Sequence, residues 1–367
     1  MSRIVRILSI DGGGIRGLIP AMALAEIEQR SNRRIADLFH LLVGTSTGGM
    51  MALGLVRPQA GSRPMTASEV ARVFRHEGPD VFSRTVWKEV SSLGGITEEK
   101  YDSSMLERYL KKNLGETRLS EALADIMLTA YDLRHRAPYF FKSWKAQGRQ
   151  LGAGETAAQH DFLMRDVARA ATAAPTYFEP AVIRNAVAER FVFVDGGVYA
   201  NNPAMCAYVS ASKLFPNADA FMLVSLSTGL PDIRLPAGDA GSWGMAAWAR
   251  PILDMIIDGV GHTVHRHMKD LLGDDYFRFR VDLKSFSSGE PGPTQNLANA
   301  SPENLERLIR KAETMLVASA GQLDRLVDRL CAEPPTNRRL LGYPAIASKD
   351  PAEMFDDGLQ PVEPGQE

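Results

Sequence analysis

Leu38-Phe39-His40-Leu41-Leu42-Val43-Gly44-Thr45-Ser46-Thr47-Gly48-Gly49-Met50-Met51-Ala52-Leu53-Gly54-Leu55 reads as a buried strand, a sharp turn and an apolar helix in direct succession. The strand is the run 38–43. The turn carries G-x-S-x-G, the elbow that stands a serine hydroxyl proud of the backbone. Small residues flank Ser46 because such a turn crowds its neighbours. The helix that follows aims unsatisfied N–H groups and its positive dipole end at the serine. A serine hydroxyl is a poor nucleophile alone, so a base and donors for a developing oxyanion must come from elsewhere in the chain.

A second strand-to-helix junction lies at the N-terminus. Ile4-Val5-Arg6-Ile7-Leu8-Ser9-Ile10 runs into Asp11-Gly12-Gly13-Gly14-Ile15-Arg16-Gly17 and then an apolar helix. Gly12, Gly14 and Gly17 also satisfy G-x-G-x-x-G, which raises a dinucleotide-binding reading. That reading requires an acidic residue at the end of the second strand, for the ribose hydroxyls. Asp37 lies before that strand, which ends in the serine elbow instead. The absence of so many side chains suits another use, in which the N–H groups of Gly12, Gly13 and Gly14 face a carbonyl oxygen as it becomes negative. One such donor contributes ~2.7–4 kcal/mol to a hydrolytic transition state.

The third element is Phe191-Val192-Phe193-Val194-Asp195-Gly196-Gly197, a short apolar strand ending in an acid and two glycines. Asp-Gly ends many strands as a plain turn. Beside the other two elements it supplies a carboxylate at the sheet edge that carries Ser46, where open α/β sheets place their sites.

In this order and at these spacings, the three motifs resemble the patatin-like phospholipase family. Ala174-Pro175-Thr176-Tyr177-Phe178 looks like a further family segment, and Ser301-Pro302-Glu303-Asn304 is similar to the start of the closing helix of plant patatins. The resemblance spans roughly residues 4–320. It implies a three-layer α/β/α fold with a mostly parallel central sheet and a helical lid region. It also implies a Ser46–Asp195 dyad that cleaves acyl esters of membrane phospholipids or related lipids, with no metal or organic cofactor. Bacterial patatin-like proteins of similar size include antiphage effectors switched on by cyclic nucleotides, so a cyclic-nucleotide activator is a further expectation. The alternatives are a constitutive lipid esterase, a dinucleotide-dependent oxidoreductase and a non-catalytic lipid- or nucleotide-binding protein.

A dyad without histidine sets a chemical problem. An aspartate of ordinary pKa ~3.9 is a far weaker base than an imidazole at ~6.5. Burial raises such a value, whereas neighbouring N–H groups and a helix dipole lower it. His40, His76, His135 and His160 stand in no recognisable acid–base context. His262, His265 and His267 cluster on one expected helix with no cysteine or carboxylate at ligand spacing, which favours a polar helix face over a metal site. Arg16, the only positive charge of the glycine loop, is a candidate for a lipid phosphate or for pairing with a carboxylate.

The composition is that of a globular enzyme: 367 residues, 45% hydrophobic and 23% charged, enough for a large core. A net charge of −2 leaves no DNA or RNA footprint and argues against a generally basic membrane-binding surface. Cys206 and Cys331 are far apart and read as reduced thiols, as expected of a cytoplasmic protein. The first strand begins at Ile4, so no signal peptide is expected, and no apolar run approaches the ~20 residues of a membrane span. Lipid contact is therefore expected to be peripheral, at the inner face of the membrane.

Residues 1–344 read as one catalytic domain and 345–367 as an acidic, proline-containing mobile tail. Further strands are expected at 126–133, 139–144 and 221–228. In the segment 276–283, Phe277, Phe279, Val281 and Leu283 share one face, while Tyr276, Arg278, Arg280 and Asp282 share the other. That alternation predicts a half-exposed strand, antiparallel or at an edge. Ser301 caps and Pro302 opens a helix with its stripe at Leu305, Leu308, Ile309, Ala312 and Met315. Two segments are lid or acyl-groove candidates: Val81-Phe82 with Trp87, and the apolar stretch 243–257 with Trp243 and Trp248.

Overall fold

The computed structural model describes residues 3–58, 64–81, 103–230, 245–294 and 296–332. The tail 345–367, Phe82, Trp87 and Trp243 lie outside the described residues. The expected three-layer α/β/α architecture is present. Its strands are β1 (Ile4–Ile10), β2 (Leu41–Thr45), β3 (Asp125–Asp132), β4 (Ala137–Lys142), β5 (Ala181–Arg184), β6 (Arg190–Asp195), β7 (Ala220–Leu226) and β8 (Tyr276–Phe279). They form one sheet of order β5-β6-β3-β2-β1-β7-β8, with β4 branching from β3.

The five strands from β3 to β8 along this order run parallel. Helices cover both faces, as parallel sheets require. Side chains alternate accordingly. Val5 and Ile7 of β1, Leu41 and Val43 of β2 and Leu223 of β7 pack on one side, with α6 (Ala204–Leu214) and α7 (Met245–Leu272). Leu8, Ile10, Leu42 and Val224 pack on the other. That side carries α1 (Leu18–Ser31), α2 (Thr47–Val56), α3 (Ala67–His76), α4 (Ser103–Leu114), α5 (Met164–Ala171), α8 (Pro302–Ala318) and α9 (Ala320–Ala332).

Helix α8 begins as its sequence predicts: the Ser301 hydroxyl accepts from the Asn304 N–H at 3.3 Å, with Pro302 in the first turn. Its stripe of Leu305, Leu308, Ile309, Ala312 and Met315 is buried.

The segment 276–283 differs from its expectation. β8 is at an edge, but it is short and parallel to β7. Tyr276 is 8% exposed and packs with Met268 of α7, so the face assigned to solvent is covered by a helix. Alternation reports two distinguishable faces, and an amphipathic helix can bury the more polar one.

The strand carrying Asp195 also differs, in direction. It reaches the site antiparallel, not parallel. β2 pairs with β3 up to Thr45 opposite Thr129, and β6 pairs with β3 from Asp195 opposite Ala130. Since β4 occupies the other edge of β3 over 127–132, β2 and β6 share one edge and meet head-on. Their last residues face consecutive positions of β3, ~3.3 Å apart along the strand.

Candidate active site

Ser46 follows directly on β2 with φ 54° and ψ −128°, a left-handed conformation rare for any residue with a Cβ. The turn is possible because its surroundings lack side chains. A Cβ on Gly48 would stand 2.7 Å from the Asp11 carbonyl, and one on Gly12 would stand 3.1 Å from the Ser46 Cβ. The glycine loop after β1 and the serine elbow after β2 are therefore packed backbone against backbone.

Asp195 ends β6, is 4% exposed and stands beside the Ser46 side chain in the same cleft. Its Oδ1 also accepts from the Gly197 N–H at 2.7 Å. Burial pushes its carboxyl up to about 6, against the opposing pull of the Ser46 hydroxyl and the Gly197 N–H. Of the two opposed effects expected for this group, burial wins. The consequence is a carboxylate with much of the basicity of an imidazole.

The Asp195 turn is held from below. Thr45 Oγ1 lies 2.8 Å from Thr129 Oγ1 and donates to the Ala200 carbonyl at 2.6 Å. The Asp195 N–H donates to the Ala173 carbonyl at 3.0 Å, which seats the 174–178 segment beside it.

The three loop glycines are not equivalent. The Gly12 N–H donates to the Asn201 carbonyl at 3.0 Å, and Gly12 does not line the cleft in front of Ser46. This corrects the expectation that all three N–H groups serve one oxyanion. Gly13 and Gly14 do line the cleft with Ser46, and among the described residues their N–H groups have no partner. Arg16 is 9% exposed, does not line the cleft, and its Nε reaches back to the Gly13 carbonyl at 3.5 Å. Its charge supports the loop from behind.

The cleft measures ≈ 830 Å³ with its open mouth. Ser46, Asp195 and Asn201 stand at its polar end; Met50, Leu106, Tyr177, Phe178, Ile257 and Leu297 form much of its apolar wall. Ile257, from the segment 243–257, lines this cleft, while Met255 and Ile256 beside it are exposed. Val81 stands at the same cleft. None of the lining residues is a histidine. The His40 Nδ1 accepts the Arg6 N–H at 3.0 Å, and burial holds its pKa down near 4. His262 is exposed and its Nδ1 lies 3.1 Å from the Asp258 carbonyl. His265 lies tilted against Tyr276, with 5.6 Å between ring centroids.

Two contributors escaped the sequence reading. Asn201 contributes its backbone carbonyl to Gly12 and a side-chain oxygen beside Gly12 and Gly197; its signal was Asn201-Asn202-Pro203 just after the Asp-Gly-Gly turn. Asp11, quoted as part of the glycine loop, pairs with Arg278 of β8.

No helix among the described residues is long and apolar enough to cross a membrane. A family model of patatin-like phospholipases matches residues 8–208. Patatin-like protein 2 of Oryza sativa subsp. indica is 30% identical over 362 residues, covering 88% of this chain and 86% of that protein. Patatin-like protein 2 of Arabidopsis thaliana is 29% identical, over 95% of this chain and 92% of its own. Patatin-15 of Solanum tuberosum is 29% identical, over 86% and 84%. With the glycine loop closed against a serine elbow and no acid at the end of β2, the dinucleotide reading gives way: the chain belongs to the patatin-like phospholipase family and is a lipid acyl hydrolase of the carboxylic ester hydrolase class.

Proposed function

We propose that the chain hydrolyses acyl esters of membrane phospholipids or related lipids through a Ser46–Asp195 dyad. The observation that carries this reading is a strained serine beside a buried aspartate of raised pKa, at the polar end of an apolar cleft. Ser46 Oγ attacks the ester carbonyl carbon while Asp195 takes its proton. The carbonyl oxygen becomes negative opposite the N–H groups of Gly13 and Gly14. Collapse of the tetrahedral intermediate breaks the bond to the alcohol, which leaves with the proton from Asp195. A water, deprotonated by Asp195, then attacks the acyl-serine, and the fatty acid departs as Ser46 recovers its proton.

The apolar wall supports an acyl chain as the group that fills the cleft, since burying each methylene contributes about 0.8 kcal/mol. Contact with the lipid surface is proposed as peripheral, and the exposed Met255 and Ile256 support that placement. Fluorophosphonate labelling tests the nucleophile. The expected result is one adduct, at Ser46, lost in Ser46→Ala while the circular dichroism spectrum is unchanged; labelling that survives this substitution overturns the assignment. Activation by a cyclic oligonucleotide in antiphage defence rests on the family resemblance alone. Neither of the two described cavities is lined by a lysine or arginine to hold a phosphodiester. Assaying a phospholipid panel with and without cyclic di- and trinucleotides tests it: strong stimulation supports the activator, and equal turnover overturns it.

A further inference from the structure

Helix α2 leads away from Ser46, and one of its side chains belongs to two cavities. Met50 lines the cleft in front of Ser46 and also a second cavity of ≈ 360 Å³, mouth included, between α2, α3 and α4. The opposite wall continues in the same way. Leu106 of α4 lines the cleft, and Leu110, one turn further on, lines the second cavity. The second cavity carries no charged residue. Its amide, Asn113, already donates through Nδ2 to the Tyr109 carbonyl at 3.1 Å. The two apolar cavities thus share a single wall residue, Met50.

Gly54 lies one turn beyond Met50 on α2 and lines the second cavity. A glycine inside a helix costs about 1 kcal/mol relative to alanine. Crowding does not require it here. A Cβ on Gly54 would meet only the Met65 Sδ at 3.2 Å and the Val70 Cγ2 at 3.8 Å, both ends of side chains. What the missing side chain leaves is volume, ~12 Å along the helix from Ser46.

We propose that this second cavity receives the distal part of a long acyl chain whose carbonyl sits at Ser46, with Met50 as the movable partition between the two chambers. The proposal rests on the acyl-hydrolase reading of the Ser46 cleft. Methionine suits the partition, because an unbranched thioether swings between rotamers and packs against a flexible alkyl chain. Short chains end in the first chamber; long ones displace Met50 and fill the space beside Gly54. Gly54 is then a specificity-determining position for chain length, remote from the reacting atoms.

The test fills the second chamber and leaves Ser46 alone. In Gly54→Leu the kcat/KM for p-nitrophenyl palmitate, divided by that for p-nitrophenyl butyrate, should fall about tenfold or more, since excluding even two methylenes has that effect. The change should appear mainly in KM for the palmitate. Gly54→Ala, which keeps the helix under any outcome, should give a smaller shift of the same sign. Palmitate binding to Ser46→Ala protein, with and without Gly54→Leu, is measured by calorimetry and requires no turnover; about tenfold weaker binding is expected. An unchanged ester ratio together with unchanged palmitate affinity overturns the chamber. Loss of fluorophosphonate labelling specificity at Ser46, with palmitate binding still sensitive to Gly54, overturns the catalytic reading instead.

Discussion

Asp11 and Arg278, 267 residues apart, form a buried two-pronged ion pair behind the glycine loop. Arg278 Nη1 donates to Asp11 Oδ1 at 2.9 Å and Nη2 to Oδ2 at 2.5 Å, and Nη1 also donates to Ser225 Oγ at 2.7 Å. The Asp11 N–H is tied to the Leu226 carbonyl at 3.0 Å. Thr228 Oγ1 donates to the Gly12 carbonyl at 2.7 Å. The edge strand β8, its neighbour β7 and the loop that presents Gly13 and Gly14 are thus held as one piece. Burial pushes the Asp11 carboxyl up, and the Arg278 guanidinium pulls it back toward the ionised form.

Breaking this pair should cost more than replacing it. Arg278→Met leaves a buried carboxylate without its partner, an error of ~3–5 kcal/mol in comparable pairs. Asp11→Asn combined with Arg278→Met should recover part of that loss. Urea denaturation of the three variants measures stability. A parallel fall in kcat for Arg278→Met would reflect displacement of the Gly13 and Gly14 donors. Equal stability of wild type and Arg278→Met would remove the pair from the account.

Activity should follow ionisation of Asp195. The proposed base works only as the carboxylate, so kcat/KM for a neutral ester should rise with pH and reach half its plateau near pH 6, where burial places the group. A profile flat down to pH 4 would contradict Asp195 as the base. Stability should move in the opposite direction. The folded form holds the proton up to about pH 6 and the unfolded chain only to about 3.8, so the fold binds more protons between these values. That contribution is complete below 3.8 and is lost as pH rises through about 6, on the order of 3 kcal/mol for a group of this kind. Asp195→Asn should therefore be inactive and, above pH 7, more stable than wild type in thermal melts.

The strain at Ser46 makes a related prediction. A non-glycine residue at φ 54° costs on the order of 1–3 kcal/mol. Ser46→Gly should release that strain, whereas Ser46→Ala should not. Both lose labelling by fluorophosphonate, but only the glycine variant should gain stability, by ~1 kcal/mol. Melting the two side by side decides it.

Thr45 should act on catalysis through position alone. Thr45→Val removes the hydroxyl between Thr129 and the Ala200 carbonyl at the junction of β2 and β6. A cost of about 1–3 kcal/mol in stability is expected from the buried acceptor left behind. If the junction sets the Ser46–Asp195 contact, kcat should fall while the pH midpoint shifts. A variant with lower stability but unchanged kcat and midpoint would show that the bond only supports the fold.

Much of this site is legible in the sequence because it is written in short-range terms. Apolar runs ending in glycines locate β1, β2 and β6, and crowding at a sharp turn explains the small residues around Ser46. What stayed hidden depends on pairing between distant strands. Nothing in Phe191–Asp195 states whether that strand runs with or against its neighbour; pairing with β3 decides it. The fate of the Gly12 N–H depends on Asn201, brought in by the turn after Asp195. Arg278 sat in a strand whose alternation was sound, yet its polar face is covered by α7 and not by water. A charge that looked solvated from its spacing proved to be the partner of Asp11.

The head-on meeting of β2 and β6 has a consequence for how this scaffold tolerates change. The separation of hydroxyl and carboxylate is set first by adjacent rungs of a third strand, and of the intervening stretches the Ser46 elbow and Ala173 add to it. Beyond the Ser46 elbow and Ala173, the stretches between β2 and β3, and between β4 and β5, can lengthen, shrink or be rebuilt for new substrates while the two reacting groups keep their distance. A one-residue slip of either strand against β3 has the contrary effect, turning its end to the opposite side of the sheet and separating the pair outright. Variation in this enzyme is thus cheap at its rim and forbidden along two neighbouring rungs.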